Sequence, residues 1–185
     1  PQTPVIFTGT IRRNLDPFET CTEAQIWQAL EQVSLKDYVK SLENGLDTDM
    51  SVSSSVFSVG QKQLVCMARV ILRKSKVVIL DDATANVDMS TDSFIQEQIN
   101  KIFQDCVVLT IAHRLSTIAH YDKVLVLEKG TKVEYDHPYK LLVERIGDRE
   151  ITKKNGVFAE MVKKNGEKVS QEILNLAYAS YYKKK

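Results

Sequence analysis

The chain has 185 residues, of which 43% are hydrophobic and 26% are charged, and this length suits one domain with a sizeable core. Its formal net charge of +1 gives no electrostatic reason to expect nucleic acid or an anionic lipid surface as a partner. No apolar run approaches the roughly 18 residues that a membrane-spanning helix requires.

The cysteines indicate the redox compartment, and the first residue bears on whether the chain begins at its natural start. Cys21, Cys66 and Cys106 are widely spaced and odd in number, and the last two are expected to be small core residues, which predicts a reducing compartment. The chain starts at Pro1, without an initiator Met or a signal peptide, so we expect its beginning to be cut.

The first part of the chain predicts a short strand followed by small helices. Residues 5–7 are predicted as the strand, and residues 10–15 as a helical turn that Asp16-Pro17 closes. Thr22 and Gln25 form a capping-box pattern at the start of the next helix. The apolar face of this helix is expected to comprise Ile26, Ala29, Leu30 and Val33. A second short helix is predicted at 35–42, and a polar loop at 43–56.

A long amphipathic helix opens at Ser58, Val59, Gly60 and Gln61. Its apolar stripe comprises Leu64, Met67, Ala68, Ile71 and Leu72. Free backbone N–H groups at a helix start favour phosphate oxygens, and glycine permits close approach. An ordinary serine N-cap is the alternative for Ser58 considered alone.

Two acids follow a continuous apolar run. Residues 77–80 are predicted as a parallel strand that is covered on both faces, and Asp81 and Asp82 stand at its carboxyl end. Open parallel sheets bind their ligands at this end. The pattern indicates Mg²⁺ held by Asp81, with Asp82 placed to take a proton from water.

The remaining elements are predicted in sequence as a helix at 93–103, a strand at 107–111, a hairpin at 123–135, and helices beginning at 136 and 158. His113 follows the 107–111 strand, whereas His120 and His137 are expected at the surface. Residues 143–154 are predicted to be a charged surface insertion. In the tail, Ile173, Leu176, Ala177 and Tyr181 share a helical face, for which a solvated helix is favoured over partner docking.

These motifs together resemble a known family. FSVGQ is similar to the signature motif of ABC ATPases, VVILDDATANVD to their Walker B strand, catalytic position and D-loop, and TIAHRLSTI to their H-switch. Together with the upstream motif IRRNLDPF, this sequence is most similar to the second nucleotide-binding domain of the multidrug-resistance-associated, C-type ABC transporters. The resemblance covers most of residues 1–142 and, more weakly, 155–166.

The resemblance implies an α/β fold of the P-loop NTPase-like ABC ATPase type. Its sheet would be mostly parallel, residues 10–75 would form a helical subdomain, and the Walker A strand and loop are missing. Residues 1–144 would be a partial ABC ATPase domain, and residues 145–185 the charged insertion and a helical tail.

The resemblance also implies roles and partners. Asp81 and Gln2 would hold Mg²⁺, and Asp82 and His113 would be catalytic. The residues expected to contact ATP are Gln2, Ser58, Val59, Gly60, Gln61 and Asp88. The partners would be a second nucleotide-binding domain and membrane-spanning domains of the same polypeptide, without nucleic acid. The protein would be a membrane protein with this domain on the cytoplasmic side.

Two departures from the family pattern concern catalysis. A Walker A loop requires G-x-x-x-x-G-K-[ST], but no two of the seven glycines have that spacing and none precedes a lysine. The isolated chain is therefore predicted to be inactive as an ATPase. Asp82 stands where the family has glutamate, and a carboxylate displaced by about 1 Å can lower the rate on the order of 10²-fold.

Three functional hypotheses follow. The leading one is the ATP-hydrolysing part of a membrane exporter, with ATP sandwiched between two nucleotide-binding domains. The second is a soluble ABC ATPase that acts on nucleic acid or ribosomes. The IRRNLDPF motif and the near-neutral net charge argue against this hypothesis. The third is a regulatory, catalytically degenerate domain, which Asp82 and the missing Walker A loop favour.

Overall fold

The computed structural model describes residues 3–51, 56–83 and 89–183. The chain forms two compact units, Pro1–Ile111 and Ala112–Lys185, which we describe separately. This division follows backbone contacts, and the functional domain boundary expected near residue 144 stays a prediction.

The first unit contains five α-helices and two strands within its described residues. In chain order they are α1 (Ile11–Leu15), α2 (Glu23–Gln32), α3 (Lys36–Ser41), a 3₁₀ turn (Gly45–Asp47), α4 (Val59–Arg73), β1 (Val77–Asp81), α5 (Met89–Ile102) and β2 (Val107–Ile111). The predicted capping box of α2 is confirmed, because the Thr22 hydroxyl accepts from the Gln25 N–H and the Gln25 side chain accepts from the Thr22 N–H. The apolar face of α2 is buried as predicted.

The strand predicted at residues 5–7 is wrong. These residues belong to no β-ladder, and the nearby pairing is an isolated bridge between Thr10 and Asp49. The Asn14 side chain takes the place of a neighbouring strand, since it accepts from the Phe7 N–H and donates to the Phe7 carbonyl. The apolar pattern of residues 5–7 therefore does not mark a paired strand, because a side chain occupies the hydrogen-bonding positions of Phe7.

β1 and β2 pair in parallel, with Val77 opposite Val107 and Asp81 opposite Ile111. The expectation that β1 is covered on both faces is wrong, because Val78 is buried whereas Ile79 is 66% exposed. Alternate side chains of a strand point to opposite faces, and the helical core covers only the face that carries Val78. The exposed face comprises Val77, Ile79, Val107, Leu109 and Ile111.

The second unit contains a hairpin and four helices within its described residues: α6 (Leu115–Ile118), β3 (Val124–Glu128), β4 (Thr131–Asp136), α7 (Pro138–Leu142), α8 (Val157–Lys163) and α9 (Glu167–Lys183). The predicted antiparallel hairpin is confirmed. Lys129 and Gly130 at its turn both have positive φ, as a two-residue hairpin turn of the favoured hand requires.

The C-terminal tail is not a solvated helix. Ile173, Leu174 and Ala177 of α9 are buried against α7 and α8, whereas Leu176, which was placed on the apolar face, is 46% exposed. Tyr178 and Tyr181 also pack around the ring of Tyr139. The tail therefore belongs to the core of the second unit.

His137 also differs from the surface position expected for it. It is buried, caps α7 by accepting from the Tyr139 N–H at Nδ1, and lies edge-on to the Tyr181 ring. The Pro that follows starts the helix, a position in which its missing N–H costs nothing. His120 is half-buried, and its carbonyl accepts from the Ser180 hydroxyl.

Candidate functional site

The start of α4 carries the first group of predicted site residues. The Ser58 hydroxyl accepts from the Gln61 N–H at 3.2 Å, and the Gln61 side chain accepts from the Ser58 N–H at 2.9 Å. This capping box fixes the first turn, while Ser58 and Val59 are exposed and Gly60 is buried. The helix start is thus both rigid and accessible to an anion.

Packing along α4 explains why its start is rigid. Leu64, Val65, Met67 and Ala68 are buried against the core that α1, α2 and α5 also build. The predicted stripe is confirmed for Leu64, Met67 and Ala68, while Ile71 and Leu72 are half-buried. Just ahead of the helix, the buried Phe57 ring packs on Tyr38 with 5.4 Å between ring centroids.

The acid pair ends β1, as predicted. Asp81 is the last residue of the strand and is exposed, and the N–H of Asp82 donates to the Ile111 carbonyl at 2.8 Å. Asp82 has a φ of 45°, in the left-handed region, which aspartate and asparagine adopt more readily than other side chains. The strand therefore stops at Asp82, with the second acid tethered to β2.

The donor chemistry of this acid pair fits Mg²⁺. Magnesium prefers oxygen ligands, keeps several waters, and commonly takes one or two protein carboxylates together with substrate oxygens. Among residues 3–51, 56–83 and 89–183, no group of three or more His, Cys, Asp or Glu side chains forms a closed metal cage. The carboxylates of Asp81 and Asp82 are the oxygen donors that a substrate-completed Mg²⁺ site uses.

The other predicted site residues are only partly placed. His113 is exposed and lies two residues beyond β2, at the start of the second unit. Gln2 and Asp88 lie outside the described residues, as do Ala85, Asn86 and Val87 of the D-loop-like stretch. The structure thus brings the start of α4 and the acid pair into one compact unit, and the roles of all these residues stay predictions.

Sequence reasoning missed two polar residues that connect α4 to α1. Asn14 is fully buried, and Arg69 of α4 donates to its backbone and side-chain oxygens. Burial lowers the pKa of the Arg69 guanidinium, and burial likewise raises the pKa of the neighbouring Cys66 thiol. An arginine among the apolar residues of an amphipathic helix is the signal that could have indicated this contact.

A cleft of about 560 Å³ lies at the opposite end of α4. Its walls include Val70, Lys74 and Lys76 on one side and Lys101 and Phe103 on the other. None of the predicted site residues that the structure describes lines this cleft.

Comparison with known proteins identifies the family. Residues 1–85 match the sequence profile described as "ABC transporter", and this range contains both the α4 start and the acid pair. The chain belongs to the ABC transporter family. The match indicates part of an ATP-binding domain, and the α/β fold expected from the resemblance is confirmed.

The similar proteins are C-family transporters. The chain is 47% identical to human "ATP-binding cassette sub-family C member 4" over 184 residues, which are 100% of this chain and 13% of that protein. It is 44% identical to the Drosophila melanogaster "Probable multidrug resistance-associated protein lethal(2)03659", covering 98% of this chain and 13% of that protein. The chain thus spans roughly an eighth of the length of these relatives, and the predicted C-type resemblance is confirmed.

A solved structure supports the same fold. "Structure of a bacterial Atm1-family ABC exporter with ATP bound" superimposes with a TM-score of 0.74 and 29% identity, covering 90% of this chain and 28% of that chain. In the described part of this chain, no helix combines the length and apolarity needed to cross a membrane.

Proposed function

We propose that this chain is part of an ATP-binding and ATP-hydrolysing domain that powers a C-type membrane exporter. The observation that carries the proposal is the occurrence, in one compact unit, of an exposed, capped helix start at Ser58 and an acid pair at the carboxyl end of β1. The names of its relatives, multidrug-resistance-associated and C-family transporters, support the exporter assignment.

The acid pair would carry the chemistry. Asp81 and Gln2 would hold Mg²⁺, which when bound neutralises charge on the phosphate oxygens. Asp82 would accept the proton of the attacking water, and His113 would donate a hydrogen bond toward the γ-phosphate. Since Asp81 is exposed and Asp82 is tethered through its backbone, one acid is open to metal while the other is held in place.

The α4 start would act on a nucleotide held mainly by a second domain. Ser58, Val59, Gly60 and Gln61 would offer a hydroxyl and backbone N–H groups to the γ-phosphate, aided by the positive end of the helix dipole. Asp88 would contact the same nucleotide. ATP would then be sandwiched between two nucleotide-binding domains, attached to membrane-spanning domains with this domain on the cytoplasmic side.

Asp82 supports a second candidate, a regulatory domain that binds ATP without cleaving it efficiently. Its side chain is one methylene shorter than the family's glutamate, and its left-handed φ is tolerated by aspartate. In this case the site would hold the domain pair closed instead of driving turnover.

Substitutions in the transporter that contains this chain separate the two candidates. Asp82→Asn should lower ATP turnover, because an amide cannot accept the proton, whereas Asp82→Glu should preserve or raise it. If Asp82→Asn hydrolyses ATP as fast as the unmodified transporter, Asp82 is not the base and the regulatory candidate is favoured.

Two further substitutions test the other proposed roles. Asp81→Asn should weaken the Mg²⁺ dependence of turnover. His113→Ala should reduce turnover while leaving ATP binding nearly intact.

The isolated chain provides a further test. Without a G-x-x-x-x-G-K-[ST] loop to wrap the phosphates, it should show no ATPase activity and at most weak nucleotide binding. A Kd near 1 μM corresponds to about 8 kcal/mol of binding free energy, so micromolar affinity measured by calorimetry would contradict this expectation.

A further inference from the structure

Arg69 connects α4 to a segment from the beginning of the described chain. Its guanidinium donates from Nε to the Asn14 carbonyl, from Nη1 to the Val5 carbonyl, and from Nη2 to the Asn14 Oδ1 at 2.7 Å. Its Cζ also lies 4.7 Å from the centre of the Phe7 ring, in cation–π contact. One side chain therefore contacts three residues of this segment.

Asn14 completes the connection from the other side. Its Oδ1 accepts from the Phe7 N–H at 2.8 Å, and its Nδ2 donates to the carbonyls of Phe7 at 2.9 Å and Thr10 at 3.0 Å. Because Asn14 is fully buried, each of these groups would lose its compensation for desolvation if the side chain were removed. We refer to Val5, Phe7, Asn14 and Arg69 as the clamp.

The clamp depends on the geometry of the guanidinium donors as well as on the charge of Arg69. The planar guanidinium presents donors in a fixed fork, and here backbone and amide oxygens at set positions receive them. Burial partly withdraws the Arg69 charge from water and so lowers its pKa, and the oxygens compensate for the lost hydration. Lysine carries its three donors on one nitrogen, so it cannot reproduce three bonds that here come from three different guanidinium nitrogens.

We infer that Arg69 is a positioning residue for nucleotide turnover, fixing the segment that follows Gln2 on the helix that starts at Ser58. This inference rests on the proposed function. Val5 is three residues after Gln2, and Arg69 is 11 residues after Ser58, about 16 Å along one α-helix. Because α4 is packed along its length, the clamp sets the position of the residue 5–7 backbone relative to the α4 start.

Among the described residues, the polar contacts of Arg69 are to Val5, Asn14 and Cys66, none of which is a proposed catalytic residue, so its effect on the reaction should be indirect and selective. Loss of the clamp should release the residue 5–7 backbone, which follows the proposed Mg²⁺ ligand Gln2 in the chain, without removing the phosphate contacts proposed for the α4 start. The expected result is a lower kcat for ATP with a KM that changes little, because misplacement by about 1 Å can cost on the order of 10²-fold in rate.

The test uses the full transporter that contains this chain, with Arg69→Gln, Arg69→Lys and the matched control Arg73→Gln. Arg73 is an exposed arginine one turn later on the same helix. Arg69→Gln should lower kcat by roughly tenfold or more with KM for ATP within about twofold, Arg69→Lys should recover only part of the loss, and Arg73→Gln should match the unmodified protein.

Hydrogen exchange provides a readout that does not depend on turnover. The Phe7 amide should exchange faster in Arg69→Gln than in Arg73→Gln, since Asn14 would lose the partner that orients it. An Arg69→Gln transporter with unchanged kcat, or with kcat and nucleotide occupancy reduced in the same proportion, would overturn the inference. Absence of ATP turnover in the unmodified transporter would instead overturn the proposed function.

Discussion

Asp82 shows how backbone geometry and side-chain chemistry combine at one position. Its φ of 45° favours aspartate or asparagine over glutamate, so the shorter of the two acids fits the end of this strand with less strain. Asp82→Asn therefore changes the proposed proton-accepting group while keeping a side chain that tolerates the backbone. Asp82→Glu restores the reach of the family's glutamate but adds conformational strain.

Asp136 illustrates how a single carboxylate links stability to pH. The Lys123 ammonium, 2.9 Å from Oδ1, is the main reason that the pKa of Asp136 is lowered, with further help from the His137 N–H at 2.8 Å. Lys140 lies 3.6 Å from the same oxygen. The carboxylate thus prefers its charged form in the folded protein.

We predict that Asp136 stabilises the fold at neutral pH and loses this contribution in acid. Because its pKa is lower in the folded chain than the unfolded value of about 3.9, the stability is complete above that value and is lost as pH falls through the folded pKa. Denaturation followed from about pH 5 down to about pH 2 should show a flatter dependence for Asp136→Asn, but not for the exposed control Glu150→Gln. Equal slopes for Asp136→Asn and the unmodified chain would contradict this.

At the scale of elements, two helices begin with the same capping box but have different proposed roles. Ser58→Ala in α4 and Thr22→Ala in α2 should each lower the free energy of unfolding by about 1 kcal/mol, because each loses one N-cap hydrogen bond. Only Ser58→Ala should also lower ATP turnover in the transporter. Equal turnover of the two variants would remove Ser58 from the nucleotide site.

Helix α9 should contribute strongly to the stability of the second unit. Leu174→Ala should cost about 2–5 kcal/mol, because this side chain is 1% exposed and its removal leaves a cavity. Leu176→Ala, two residues away on the exposed side, should stay within about 0.5 kcal/mol of the unmodified chain. Thermal or denaturant unfolding measures both, and similar losses would contradict the packing of α9.

At the scale of the molecule, the exposed apolar face of β1 and β2 should govern behaviour in solution. Ile79 and Leu109 are neighbours in the parallel register, and both are more than half exposed. A contiguous apolar sheet face is a self-association surface.

We therefore predict that the chain expressed alone associates or precipitates, and that the double variant Ile79→Thr, Leu109→Thr associates less. Leu176→Thr, at an exposed apolar position outside the sheet, is the matched control and should not reduce association. Light scattering or size-exclusion chromatography gives the measurement. A monodisperse monomer of the unmodified chain would show the prediction to be wrong.

The sequence by itself determined the elements whose signals are local. The capping box at Thr22, the helix start at Ser58, the acid pair at the carboxyl end of β1 and the hairpin at 123–135 depend on residues close in the chain, and the structure confirms each of them. The motif order likewise identified the family, since several short patterns at the right spacing seldom coincide.

Only the tertiary structure decided which surfaces meet. Residues 5–7 have the composition of a strand, yet Asn14 and Arg69 bind them instead of a neighbouring strand. The face of β1 that carries Ile79 and the face of α9 that carries Leu174 have similar apolar character, but the first is exposed and the second is buried. A hydrophobic pattern indicates that a face can be buried. Whether it is buried depends on which distant residues the fold packs against it.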